Sequence, residues 1–325
     1  MNALLEVRGL KKYFGLKKSL FQRQRKYVHA LDGIDVDLME GETLSVVGES
    51  GSGKSTLGRT IVRLEQATAG SIRYQGRDLS GLHGAQAQEF RQQIQMVFQD
   101  PYASLNPRLT VGHALAEPML VHRKAESRAA ARQAVGELLL RVGLRPEMAS
   151  SYPFAFSGGQ RQRIGIARAL SLSPRVLICD EAVSALDVSV QSQILNLFNQ
   201  LKKDLGLTYL FITHDLAVVR YMSDRVMVMY LGQVVELAPR DAFFKRRLHP
   251  YTRALISAAP IASTGVREPK VILHGEIPNA IDPPAGCRFH TRCPNVMKDC
   301  RHLEPQLREI EPGHHVRCHL YGSES

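Results

Sequence analysis

Apolar residues fall along this chain in short, dense runs. Residues 175–179 (Arg-Val-Leu-Ile-Cys) and 209–213 (Tyr-Leu-Phe-Ile-Thr) are too brief for helices and lack in–out alternation, so they read as strands buried on both faces of a parallel sheet. Residues 44–47 and 94–98 are apolar runs of a similar kind. Elsewhere the period lengthens. Ile164, Ala167, Ala169 and Leu170 take the apolar positions of a helix predicted over residues 161–170, and Val190, Ile194, Leu197, Phe198 and Leu201 mark one face of another. Residues 56–64 are also compatible with a helix, and residues 126–142 are rich in Ala, Leu, Arg and Glu. Residues 225–230 and 233–237, joined near Leu231 and Gly232, read as a hairpin. The expected organisation is α/β: β-rich to about residue 97, helical over about 100–170, strand–helix–strand over 171–215, then the hairpin.

The ends of these runs carry the candidate chemistry. Gly48, Glu49, Ser50, Gly51, Ser52, Gly53, Lys54 and Ser55 fit G-x-x-x-x-G-K-S, followed by Thr56, between the apolar run 44–47 and the helix-compatible run 56–64. Glycines there let successive backbone N–H groups turn toward phosphate oxygens, and the helix behind them presents the positive end of its dipole. Lys54 would add a point charge for the β- and γ-phosphates, and Ser55 a hydroxyl for Mg²⁺. Ser157, Gly158, Gly159 and Gln160 open the helix of residues 161–170 and form a second N-terminal anion site. Asp180 and Glu181 end the buried run 175–179, where carboxylates of a parallel sheet face the ligand crevice.

With Phe156 in front, Phe-Ser-Gly-Gly-Gln resembles the signature of ABC transporter ATPases, in which leucine usually holds the first position. That resemblance implies a P-loop NTPase cassette: a RecA-like core, an antiparallel β subdomain and a helical subdomain at about residues 100–170. It implies that Asp180 orders Mg²⁺ through its water shell, that Glu181 is the general base, and that His214, delivered by the run 209–213, meets the γ-phosphate. Gln99 matches the glutamine that contacts Mg²⁺ and the attacking water and whose loop reports to the membrane subunit. Ser184, Ala185, Leu186 and Asp187 match the loop that crosses the dimer. Family cassettes sandwich ATP between one subunit's phosphate loop and the other's signature, so one cassette per chain implies a partner. Ala182 and Val183 stand where many ABC proteins have Pro-Thr, which removes no charged group. An aromatic residue upstream of the phosphate loop should stack on adenine. Phe14 fits best by the glycine that follows it, with Tyr13 and Tyr27 as alternatives.

Composition narrows the setting. No run of about 18 apolar residues exists, and residues 1–6 lack the layout of a secretory signal, so a cytosolic or peripheral location at the cytoplasmic face of a membrane is expected. The net charge of +11 raises nucleic acid as a partner, but the basic residues are mostly dispersed and Trp is absent. Residues 8–26 are the exception, holding eight basic and no acidic residues: a solvated loop or a contact for anionic headgroups. DNA-repair and translation ABC proteins share the ATPase motifs, but they generally carry two cassettes per chain or long coiled-coil insertions, and neither is visible.

The tail decides which transporters the chain resembles. His249-Pro-Tyr-Thr-Arg-Ala-Leu-Ile, with Pro260 soon after, is similar to the C-terminal extension of ATPases from bacterial oligopeptide and dipeptide importers. The wording of residues 97–107 and 180–190 is typical of the second ATPase of the pair. The resemblance implies a cassette over residues 1–245 and an extension over 246–325. It also implies a homologous second ATPase, two permease subunits and an extracytoplasmic binding protein, for peptides or for nickel chelates or glutathione. Of five cysteines, Cys179 lies on a buried run and four occur as Cys287-x5-Cys293-x6-Cys300-x17-Cys318. The C-x2-4-C knuckles usual for zinc are absent, although His290, His314, His315 and His319 keep zinc open, as is a tail without metal. The importer resemblance points to a [4Fe-4S] cluster on the four thiolates, in a small irregular segment stapled by metal.

Overall fold

The computed structural model describes residues 3–16, 26–79, 81–100, 105–258, 273 and 275–322. Residues 17–25 of the basic run and the segment around Pro260 lie outside them. The chain forms two compact units, the first from Met1–Met39, Thr43–Ser80 and Thr213–Ser325, the second from Glu40–Glu42 and Gly81–Ile212.

The first unit contains an antiparallel sheet in the order β2 (Tyr27–Met39), β1 (Ala3–Gly15), β4 (Ala69–Tyr74), β5 (Arg77–Asp78). Leu5, Val7, Leu10, Ile34, Val36 and Leu38 bury its inner face. β3 (Thr43–Val47) is buried at every position, as the unbroken apolar run predicts, and pairs in parallel with β9 (Arg225–Tyr230). The predicted hairpin is present: β10 (Gln233–Pro239) returns along β9. Its two-residue loop has Leu231 at φ 44° and Gly232 at φ 78°, the left-handed pair whose twist suits a tight hairpin.

Residues after 245 build into this same unit. Helix α9 (Pro250–Ala258) places Tyr251 in the core, and Phe289 joins it there with Val47, Val228 and Tyr230. Farther along, β12 (His314–Val316) pairs with β10, and β11 (Arg308–Glu311) pairs with β12, so the tail extends the sheet by a hairpin. The tail is therefore partly regular, whereas its Pro-rich, Cys-spaced sequence predicts an irregular segment.

In the second unit, β6 (Ile94–Val97), β7 (Val176–Asp180) and β8 (Thr208–Ile212) are parallel neighbours in that order. The helix predicted at 126–142 is α4 (Arg128–Arg141), set by Ser127, whose hydroxyl accepts from the Ala130 N–H. It belongs to a helical region with α3 (Val111–Val121) and short 3₁₀ turns at Pro146–Ser150 and Pro153–Ala155. Helix α5 (Gly158–Leu170) follows, and α6 (Val188–Leu205) buries Ile194, Leu195, Phe198 and Leu201 before stopping at Gly206 (φ 63°). No helix among the described residues is long and apolar enough to cross a membrane.

Candidate nucleotide site

The phosphate loop lies in the first unit between β3 and α1 (Lys54–Ile61), so the helix starts at the lysine itself. Two of its glycines are dictated by space as well as by φ. A Cβ on Gly48 (φ 153°) would stand 2.2 Å from the Met229 carbonyl oxygen, and one on Gly53 (φ 104°) 2.3 Å from that of Ala30. The buried Lys54 ammonium donates to the carbonyls of Gly48 (2.8 Å) and Glu49 (2.9 Å), which holds the charge inside the curl of the loop. The Glu49 N–H donates to the Tyr251 hydroxyl at 2.7 Å, and the Glu49 carboxylate receives both Nη atoms of Arg292, at 2.7 and 3.1 Å. Sequence reasoning missed both partners; they lie 202 and 243 residues away, with no motif between.

His214 is exposed just beyond Thr213, whose N–H donates to the Val46 carbonyl at 3.1 Å. Of the three aromatic candidates, Tyr13 is committed elsewhere: its hydroxyl donates to Asp32 at 2.5 Å and its ring packs on His29 at 4.3 Å. Phe14 carries the Lys12 ammonium 4.6 Å from its ring centroid, and Tyr27 is exposed. Burial alone would raise the Asp32 carboxyl, but the Tyr13 hydroxyl and the guanidinium of Arg288 hold it below its usual range.

The second unit holds the acidic and signature groups. Asp180 ends β7 fully buried. Glu181 follows at φ 47°, a left-handed conformation unusual for a residue with a long side chain, fixed by its N–H to the Ile212 carbonyl (2.9 Å). The Gln99 amide donates to the Glu181 carboxylate at 2.9 Å, so these two predicted residues do meet. Ala182 and Val183 are buried and fill the place of Pro-Thr with apolar contact. Ser157 caps α5 in a reciprocal box: Gln160 N–H to the Ser157 hydroxyl, and Ser157 N–H to the Gln160 side chain. Phe156 is buried, which explains why an aromatic side chain can replace leucine there. Gly159 is crowded; a Cβ would sit 2.4 Å from a methyl of Val190. Asp187 caps α6 through the Val190 N–H (2.9 Å), and the Ser189 hydroxyl with that N–H keeps its carboxyl below the usual range. A groove of about 410 Å³ in this unit is lined by Gln88, Gln92, Val121 and His122 among others.

Among the described residues no three His, Cys, Asp or Glu side chains converge closely enough to hold a metal ion, so the tail thiols are not disposed as a site for one ion. Burial, with smaller contributions from Cys300, Cys318 and Cys293, pushes the Cys287 thiol up to about 12. Cys287 N–H donates to the Cys300 carbonyl at 2.9 Å, which ties those two stretches together. Three nearby histidines have other engagements: His290 Nδ1 contacts the Cys287 carbonyl, His319 Nε2 the Leu303 carbonyl, and His314 Nε2 the buried Glu236 carboxylate.

Comparison with known proteins agrees with this arrangement. Residues 31–184 match the ABC transporter family, and residues 235–300 match the oligopeptide/dipeptide transporter C-terminal region. The chain is 50% identical to the oligopeptide transport ATP-binding protein AppF of Bacillus subtilis, over 98% of this chain and 97% of the relative. It is 50% identical to oligopeptide transport ATP-binding protein OppF of Salmonella typhimurium, over 97% and 95%. Among solved structures it resembles a dimeric ATP-binding cassette in a post-hydrolysis state with ADP and Pi, at TM-score 0.64 and 28% identity, over 73% of this chain and 98% of that one.

Proposed function

Because the chain belongs to the ABC transporter ATP-binding subunits that carry the oligopeptide/dipeptide transporter C-terminal region, we propose that it hydrolyses ATP to drive import of peptides across a membrane. The observation that carries this is the pairing, in one chain, of a complete phosphate loop with a tail of the peptide-importer type.

The roles follow from the chemistry of each residue. Residues 48–56 bind the triphosphate, Lys54 by charge and the loop N–H groups by dipole. Ser55, Gln99 and Asp180 serve Mg²⁺; Glu181 accepts the proton of the attacking water; His214 reads the γ-phosphate; Phe14 stacks on adenine. Phosphoryl transfer asks for positioning and charge more than for covalent chemistry, and these groups supply both. Ser157, Gly158, Gly159, Gln160 and Asp187 serve the ATP of a second, homologous ATPase. The capping box supports this reading, because it sets the signature helix with its N-terminus already ordered.

The chain then works as a peripheral subunit on the cytoplasmic face of the inner membrane, beneath two permease subunits supplied by an extracytoplasmic binding protein. The groove at Gln88, Gln92 and His122 suits a permease coupling helix, being open and polar. For the tail, a [4Fe-4S] cluster on Cys287, Cys293, Cys300 and Cys318 fits better than zinc. Three of the four nearby histidines make other contacts, and the four cysteines match the thiolate ligand set of such a cluster. Iron binding would remove the thiol protons that burial now retains.

The test is uptake in the native host. Deleting the gene should abolish uptake of one member of a panel of labelled dipeptides, oligopeptides, glutathione and nickel chelate, with rescue by the wild-type gene and none by Glu181→Gln. Loss confined to nickel or glutathione would replace peptide as the cargo, and uptake of the whole panel at wild-type rate would overturn the importer reading.

A further inference from the structure

Glu49 stands at the first variable position of the phosphate loop, and all of its polar groups are restrained. Its N–H donates to Tyr251, its carbonyl accepts from Lys54, and its carboxylate takes a bidentate pair from Arg292. Two of these three partners come from the tail, within the same compact unit. We infer that Arg292 and Tyr251 are positioning residues for nucleotide binding, fixing the loop through Glu49 and neutralising its carboxylate.

The clamp is built into the core. Tyr230 packs on Tyr251 with centroids 4.8 Å apart and ring planes tilted by 58°, it meets Phe289 edge-on at 5.3 Å, and the Arg292 guanidinium lies 5.9 Å from the Tyr230 ring. Arg292 N–H donates to the Phe289 carbonyl at 3.0 Å, so the buried phenyl group anchors the turn that presents the guanidinium. With side-chain exposures of 8% for Arg292 and 26% for Glu49, the pair is sheltered from the solvent screening that weakens surface ion pairs. At the preceding residue, Gly48 is wedged against the Met229 carbonyl, one position before Tyr230. Arg292 and Tyr251 therefore seize the loop where it has no room to shift. Charge gives the clamp its consequence for ligand binding. ATP brings several negative charges to a loop that already carries a carboxylate, and Arg292 offsets that carboxylate in a setting where opposite charges act strongly.

The inference rests on the phosphate loop being the ATP site, and the experiment separates the two. ATP and a fluorescent ATP analogue are titrated against the full chain, and steady-state hydrolysis is measured on the purified transporter complex. Arg292→Ala should raise the Kd about tenfold, and KM for ATP with it, while kcat stays within about twofold, since no group at the reacting phosphate is removed. Arg292→Lys, which keeps the charge and loses the fork, should fall between. Tyr251→Phe should raise the Kd about threefold by leaving the Glu49 N–H unpaired. The double variant Arg292→Ala/Glu49→Ala should regain most of the affinity lost in Arg292→Ala, which a merely structural arginine would not permit. If Arg292→Ala does not fold, Arg292→Gln and Arg292→Gln/Glu49→Ala replace it in the comparison. An Arg292 effect of the same size with and without Glu49, or no effect on Kd, overturns the clamp. A wild-type chain that binds no ATP overturns the nucleotide site itself.

Discussion

Glu181 occupies a backbone conformation that only its surroundings can maintain. At φ 47° the residue stores strain of about 1–3 kcal/mol, held in place by its N–H on Ile212 and by Ser184, which donates through both N–H and hydroxyl to its carbonyl. Its carboxylate meets the Gln99 amide, so the proposed base is oriented before any nucleotide arrives. Glu181→Gln keeps the shape and loses the proton acceptor. ATP binding should persist while turnover falls by at least a hundredfold, and ATP-loaded cassettes should accumulate as closed pairs. Hydrolysis near the wild-type rate in the purified complex would remove Glu181 from that role. At this scale the sequence was informative where chemistry is local. Lys54, Ser157 and Glu181 are legible because each motif is contiguous and its spacing is set by a single turn or strand end. The φ of Glu181 and the partners of Glu49 are not legible, since one depends on backbone geometry and the others on chain folded back from more than two hundred residues away.

Between elements, one buried polar knot joins β10, α9 and β12. Glu236 is wholly buried and accepts from the N–H groups of Leu248 (3.0 Å) and His249 (2.9 Å) and from His314 Nε2 (2.7 Å). His249 Nδ1 in turn accepts the Tyr251 N–H at 3.0 Å, which ties the first turn of α9. Desolvation lowers the His249 imidazole from 6.5 to about 4, with Arg253 lowering and Glu236 raising it. Between those values the unfolded chain binds a proton that the folded chain refuses, so stability falls as pH drops from neutrality toward 4. The loss between pH 7 and 5 should be about 2 kcal/mol from this residue. Thermal melts across that range should be steep for the wild type and shallower for His249→Asn, which offers a non-titrating acceptor to Tyr251; equal slopes would assign the pH dependence elsewhere. Strands with unbroken apolar runs were readable from the sequence, as were helices with clear faces. β12 was not, because three residues with two histidines have no strand signature until β10 offers an edge to pair with.

At the scale of the whole molecule, the tail is structural to the unit that holds the phosphate loop, and that changes what its cysteines should do. The importer resemblance presents residues 287–318 as a metal-stapled segment separate from the ATP site. The folded chain argues otherwise. Arg288, next to Cys287, donates to the Leu231 carbonyl and pairs with Asp32, while Arg292, next to Cys293, pairs with Glu49. Cys287 and Cys293 themselves pack against the core cluster that includes Val47 and Tyr230. Whatever fixes these thiols thus fixes two arginines that reach the nucleotide-binding unit. Protein prepared without oxygen should be brown and carry about four iron and four sulfide per chain. Cys300→Ser should remove the colour, lower the melting temperature and weaken ATP binding several-fold, with the loss of affinity following the loss of iron across partially loaded samples. Stoichiometric zinc in place of iron would transfer the same four residues to a zinc site. Full ATP affinity in a colourless Cys300→Ser protein would mean that the arginines hold their positions by packing alone, through Phe289 and Tyr251, and that the metal staples only the segment between the cysteines.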